Sequence, residues 1–343
     1  MANNAGGRRG ASKGIFFLVL VTVFLIGFVV GMVVIHFASQ NDEDESTKAL
    51  KMTVASENHV TNVYIPKRER VLGQIAKNGY ITENFELEDG YMIYKDENGE
   101  KISHLGIDLS YHNPMVDWDK LAASGVEFVM LRCGYRGYTE GGLIKDEVFD
   151  EYAAEANRVG IKLGVYFFTQ SITVEEAEAE ADFVLDLIKD YDLSYPVALD
   201  TELIEDSEAR TNTTEISKEL RSQMAIAFCE RIKEEGYYPV IYASENWMRR
   251  NMDLEMLNQY DFWAAQYQPQ NDFLYDFTIW QYTDSGSVPG VAQKADLDIS
   301  LVDYSEFVPA LREAVLSKGE IIEGEGAPGD AVIIEETIES KEE

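Results

Sequence analysis

The sequence predicts an α/β fold: an irregular TIM-like β/α barrel preceded by a single transmembrane helix. Three observations predict it. Between residues 104 and 316, short β-rich runs alternate with amphipathic helical patterns, which argues for parallel strands joined by helical crossovers. About eight such runs fill that stretch, which suits a closed barrel better than an open sheet. Ahead of them, residues 15–37 read IFFLVLVTVFLIGFVVGMVVIHF. At about 1.5 Å per residue such a run crosses a hydrocarbon core of about 30 Å.

The N-terminal elements follow from charge. Arg8, Arg9 and Lys13 lie in the short leader 1–14, and Asp42, Glu43, Asp44 and Glu45 follow the apolar run. Basic flanks stay in the cytoplasm, so everything after Gln40 is expected outside the cell membrane. A cleaved signal peptide is the competing reading, and the run is longer than a usual signal core. Residues 38–103 are mixed and polar and read as an extracytoplasmic stem, with room for a small folded piece just before the main domain. They carry a hairpin-like patch, Tyr91-Met92-Ile93-Tyr94, before the turn signal Asn98-Gly99.

Within the domain, 104–316, strands are expected at 104–110, 128–134, 162–170, 195–201, 239–243, 262–267, 277–282 and 296–300. Helices are expected at 148–159, closing at Gly160, at 174–190, and at 217–235, closing at Gly236. Connections between residues 262 and 300 are too short for full helices, so the barrel should be irregular in its final third. Residues 317–343 are rich in Glu and Gly and read as a flexible acidic tail.

Composition excludes several functions. Lys+Arg is 29 against Asp+Glu 62, a net charge of −33, so no nucleic-acid partner is expected. Four His without an H-E-x-x-H pattern give no metal site, and no glycine-rich phosphate loop supports a nucleotide, so no cofactor is expected. Cys133 and Cys229 read as small buried residues rather than a disulfide.

Chemistry in a β/α barrel sits at the C-terminal ends of the strands. The first strand ends Gly106-Ile107-Asp108-Leu109-Ser110. The fourth ends Val197-Ala198-Leu199-Asp200-Thr201-Glu202, and the last begins with Asp296 and Asp298. With 62 acids in 343 residues, an acid-x-acid triplet arises by chance about eleven times. Position adds the information. Residues i and i+2 of a strand face one side, so Asp200 and Glu202 both face the mouth. Two neighbouring carboxyls resist double ionisation, which leaves one as a proton donor near neutral pH. The plain alternative is a helix cap or a solvated loop acid.

Residues 104–307 closely resemble glycoside hydrolase family 25, the lysozymes or N-acetylmuramidases. The matching pieces, in order, are Gly106–Ser110 (GIDLS), Val116-Asp117-Trp118, FVMLRCGYRG at 128–137, Gly164-Val165-Tyr166-Phe167-Phe168, PVALDTE at 196–202, Tyr238-Pro239-Val240-Ile241-Tyr242, Trp263-Ala264-Ala265-Gln266-Tyr267 and Trp280-Gln281-Tyr282-Thr283. The resemblance implies a barrel of five β/α units and three further strands. It also implies hydrolysis of the β-1,4 bond after N-acetylmuramic acid in peptidoglycan, the expected partner. By the same resemblance Glu202 is the general acid/base, Asp200 its partner carboxylate and Asp108 a third acid of the cluster. Asp296 falls on the acid of the family's last-strand pattern. The chain departs from that pattern at Asp298, where Asn is usual.

Tyr166, Tyr242 and Trp280 lie near strand ends, where rings can stack on sugars; barrel core is the alternative for each. Gln266 is a polar-contact candidate, and Arg132 either pairs with the acids or forms a structural ion pair. Two other readings fit the residues: a wall-binding protein on a degenerate barrel, and a hydrolase of another acetamido-sugar polymer. Intact Asp108, Asp200 and Glu202 weigh against the first. The absence of a D-x-x-D-x-D-x-E run at 197–202 weighs against chitin.

Overall fold

A computed structural model describes residues 75–316 with their side chains, together with the backbone of strands β1 (Lys48–Ser56), β2 (His59–Lys67), β14 (Glu320–Gly326) and β15 (Ile334–Thr337). The predicted span 15–37 lies outside the described residues. Among those described, no helix is long and apolar enough to cross a membrane.

Eight strands close a barrel in the order β5 (His104–Leu109), β6 (Phe128–Arg136), β8 (Lys162–Phe168), β9 (Val197–Asp200), β10 (Pro239–Ser244), β11 (Asp261–Ala265), β12 (Ile279–Gly286) and β13 (Ala295–Ser300), with β13 returning to β5. All neighbours run parallel except β13, which is antiparallel to both β12 and β5. A short strand β7 (Leu143–Lys145) hangs on β6. Helices follow the first five strands: α1 (Trp118–Ala123), α2 (Phe149–Val159), α3 (Val174–Ile188), then α4 (Arg210–Thr213) and α5 (Lys218–Glu234), then α6 (Glu245–Asn251) and α7 (Leu254–Leu257). No helix separates β11, β12 and β13, as the short connections predict.

Local sequence sets the helix ends. Asp117, Thr173 and Ser217 cap α1, α3 and α5 by accepting a backbone N–H two to three residues into the helix. Gly160 ends α2 at φ 78°, a left-handed position that costs other residues steric strain.

Strand alternation splits the apolar residues into two cores. Inside the barrel, Phe128, Met130, Ala198, Val240, Trp263 and Ile279 pack over Tyr304, Phe307 and Leu311, the last on α8 (Val308–Leu316), which closes the bottom. Outside, Ile107, Val129, Leu163, Val165, Leu199 and Ile241 pack against the helices. Each such side chain contributes about 1.5–3 kcal/mol of burial. Gly106 is required inside, because a Cβ there would lie 2.1 Å from the Phe128 ring.

The late strands expose a problem and its solution. Without crossover helices, the outer faces of β11 and β12 need cover. The predicted stem supplies it. β3 (Phe85–Glu88) and β4 (Tyr91–Tyr94) form a hairpin turning at Asp89-Gly90, and Phe85 packs edge-on to Trp280 at 5.2 Å. Tyr80 sits 5.1 Å from Phe277 and donates its hydroxyl to the Phe277 carbonyl. These contacts tie the stretch from Ile75 onward to the barrel. The Asn98-Gly99 signal makes a second turn, closed by Gly99 N–H to the Asp96 carbonyl.

β14 and β15 pair with β1 and β2 in an antiparallel sheet of order β14-β1-β2-β15. Averaged composition hides the β-branched runs Ile321-Ile322 and Val332-Ile333-Ile334, which favour strands.

Candidate active site

The same alternation delivers acids to one end of the barrel. On β5 the inward positions are Gly106 and Asp108. Antiparallel pairing sets Asp296 directly opposite Asp108, and Asp298 opposite Gly106. On β9 the inward positions are Ala198 and Asp200, with Tyr242 of β10 opposite Asp200. Glu202 follows where the strand has ended. Asp108 and Asp200 are buried, whereas Glu202 and Asp296 are half-buried and open toward the mouth. Asp108, Asp200, Glu202 and Asp296 are thus brought together as predicted.

Burial and mutual repulsion decide their protonation. Burial first, then the Glu202 charge, push Asp200 well above the ordinary carboxylate range, and Arg132 opposes them. Burial raises Glu202, and a hydrogen bond with Tyr242 pulls it partly back. Burial, the Asp284 charge and the Glu202 charge push Asp296 up to about 6. Burial, with Asp296 and Asp298 beside it, raises Asp108. Like carboxyls this close share protons rather than all ionise.

Gln281 orients the cluster. Its Nε2 donates to Asp108 Oδ2 at 2.7 Å, and its Oε1 accepts from the hydroxyls of Tyr242 at 2.8 Å and Tyr267 at 2.6 Å. Those contacts fix which end of the amide is which. Asp298 is fully buried; its Oδ1 accepts from Trp263 Nε1 at 2.8 Å, and its Oδ2 receives no donor. Burial and the neighbouring Asp296 charge push its carboxyl well above the ordinary carboxylate range.

The aromatic and amide predictions divide. Tyr166 is half-buried at the mouth and meets Trp263 edge-on at 6.0 Å. Tyr242 packs on Trp263 at 4.6 Å with its hydroxyl in the cluster. Trp280 does not reach the site. It is fully buried on the outer face, and its Nε1 donates to the Gln266 carbonyl at 2.9 Å. The period of two explains the error: Gln281 faces in, so Trp280 faces out. Gln266 is also reassigned, because its amide is spent on Glu245 at 3.2 Å and on Asp272, which brace the loop after β11. Arg132 forms the structural ion pair, Nε to Asp146 Oδ2 at 2.7 Å, while its charge still reaches Asp200. Cys133 and Cys229 are buried and unpaired.

Sequence reasoning missed Gln281, Tyr267 and Trp263 as site residues, although all three lie in quoted motifs. Counting alternation from Asp296 through β12 would have found Gln281. Among the described residues no three acid, His or Cys side chains are arranged to hold a metal ion. What remains is a cluster able to donate one proton beside a stabilising negative charge, the pair that glycoside hydrolysis requires.

Comparison with known proteins agrees with this geometry. Residues 107–291 match glycosyl hydrolases family 25. The autolytic lysozyme of Clostridium acetobutylicum is 26% identical over 228 residues, 66% of this chain, and the chain spans 61% of that protein's length. Among solved structures, the spore cortex lytic enzyme SleM of Clostridium perfringens superposes with a TM-score of 0.52 at 24% identity, covering 60% of this chain and 69% of that one. A bacterial lysozyme from Streptomyces coelicolor gives 0.51 at 19% identity, covering 62% and 98%. At those identities the structural likeness is one of fold.

Proposed function

The chain belongs to glycosyl hydrolases family 25, and from that premise we propose that it is a peptidoglycan hydrolase. It cleaves the β-1,4 bond between N-acetylmuramic acid and N-acetylglucosamine, tethered outside the cytoplasmic membrane by residues 15–37. The observation that carries the reading is the pair Asp200 and Glu202 at the mouth. Burial raises both, and their mutual repulsion leaves the pair holding one proton between them. Glu202, half-buried and open to the mouth, gives its proton to the leaving glycosidic oxygen. Asp200 stabilises the positive charge that develops at the sugar ring. Tyr166 and Tyr242 line the approach, and the likeness to an autolytic lysozyme supports peptidoglycan as substrate. The basic leader 1–14 and the acidic flank after the apolar run support the tether and its orientation.

The test is a digest of purified peptidoglycan by the full-length chain beside Glu202→Gln, with mass spectrometry of the new reducing ends. N-acetylmuramic acid ends, lost in the variant, are expected. N-acetylglucosamine ends would overturn the bond assignment. No cleavage by a folded wild type would overturn the hydrolase. Proteolysis of intact cells tests the tether: a domain cleaved only after lysis would contradict it.

A further inference from the structure

Arg221, in the first turn of α5, lines a cleft together with Glu202, Thr201, Gln170 and Thr211. Its Nε is buried without a hydrogen-bond partner, and burial holds its guanidinium below the ordinary arginine range with no carboxylate opposing that. This stands out in a chain of 62 acids. Arg132, Arg136 and Arg210 each hold a carboxylate, so although Arg132 Nη2 and Arg210 Nη1 are also buried without a partner, Arg221 differs from them in facing no carboxylate. A buried polar donor left unpaired in a folded protein calls for a ligand or water to satisfy it.

The surroundings define what fits. The Arg221 guanidinium lies 4.8 Å from the centre of the Trp247 ring, and Trp247 Nε1 donates to Thr201 Oγ1 at 3.1 Å. The arginine is therefore tied to the residue between Asp200 and Glu202. On the opposite wall Thr211 donates to Gln170 at 2.9 Å, and the Gln170 amide donates to the Thr169 carbonyl at 2.7 Å. These groups satisfy one another and leave the Arg221 Nε–H as a buried donor without a partner. The enclosed part has room for little more than one water-sized group, so it takes the tip of an anion and not a sugar ring.

We propose that this cleft is a carboxylate site, in which Arg221 holds a free carboxylate of the muramyl unit being cleaved at Glu202. The inference rests on the peptidoglycan reading above. A substrate-borne carboxylate fits better than a free anion. The net charge of −33 repels dissolved anions, whereas a carboxylate on a bound glycan arrives at high effective concentration. Its source is either the lactyl ether or the attached peptide, and both offer the same chemistry to a guanidinium.

The experiment compares the full-length chain with Arg221→Met and Arg221→Lys on three glycan strands: peptide-bearing, amidase-stripped so that the lactyl carboxylate is free, and carboxyl-amidated. On carboxylate-bearing strands Arg221→Met should raise KM about tenfold with kcat nearly unchanged, and Arg221→Lys should fall between. On amidated strands the wild type should lose its KM advantage. An effect confined to peptide-bearing strands assigns the peptide carboxylate, and one that persists after stripping assigns the lactyl group. Equal losses on all three strands, or no change on any, would overturn the site while leaving the hydrolase intact. If Arg221→Met loses its native melting transition, the Lys variant alone decides: a KM equal to wild type on amidated strands but raised on the others supports the site, and any other pattern overturns it. A wild type inactive on every strand sinks the hydrolase reading, and this inference with it.

Discussion

Gln281 Nε2 donates to Asp108 Oδ2 at 2.7 Å across the β12–β13–β5 corner, 173 residues apart in sequence. The same amide accepts two tyrosine hydroxyls through Oε1, so one side chain sets the orientation of an acid and of two phenols. Gln281 is 2% exposed, and no water can take its place cheaply.

Gln281→Leu should therefore damage both stability and activity. It leaves the buried Asp108 carboxyl and Tyr242 phenol short of a partner, each costing about 1–3 kcal/mol. Urea unfolding should show a loss of that order. Activity in the surviving folded fraction should fall as well, because Asp108 and Tyr242 lose their fixed orientation. A variant as stable as wild type would mean that the neighbours find other partners.

Tyr242, whose hydroxyl donates to Gln281, is expected to influence the upper edge of the pH range through Glu202. Its hydrogen bond lowers the Glu202 pKa against the effect of burial. Tyr242→Phe removes that opposition, so Glu202 keeps its proton to higher pH. If Glu202 acts as the acid, the basic limb of kcat/KM should move to higher pH in the variant. A limb that stays in place, or moves down, would assign that limb to another group.

The extent to which this was legible in the sequence differs between residues for physical reasons. The barrel and its irregular final third follow from alternating patterns and short connections, which are local properties. Asp108, Asp200, Glu202 and Asp296 are legible because they end or begin strands. The cover over β11 and β12 was not, because Tyr80 and Phe85 contact Phe277 and Trp280 across nearly 200 residues of chain, and no local pattern encodes that. Trp280 was misplaced because a large aromatic ring suits a sugar platform and an outer core equally well. Only the inward neighbour Gln281 resolves which face it takes.

Trp280→Ala tests that reassignment. A fully buried indole between the barrel and Phe85 should cost about 3–5 kcal/mol on truncation, read by urea unfolding. KM for peptidoglycan strands should change little in the folded protein. A large rise in KM with unchanged stability would return Trp280 to the glycan-binding surface.

Asp298 stands where its family resemblance implies Asn, and this predicts a pH dependence. Burial, then the Asp296 charge, raise its pKa well above 3.8 in the folded chain, against a lowering bond from Trp263. A group whose native pKa is raised binds its proton more tightly folded than unfolded. Its contribution to stability is therefore fully present below the unfolded pKa, and it is lost as pH rises through the native one. Asp298→Asn cannot ionise and keeps an oxygen to accept from Trp263 Nε1. Removing the Asp298 charge also lowers the Asp108 pKa, because that charge is among those raising it. The variant should match wild type near pH 4 and gain on it steadily toward neutral pH. Unfolding midpoints measured across that range check this. A constant difference at all pH values would show that the Asp298 pKa is not raised on folding.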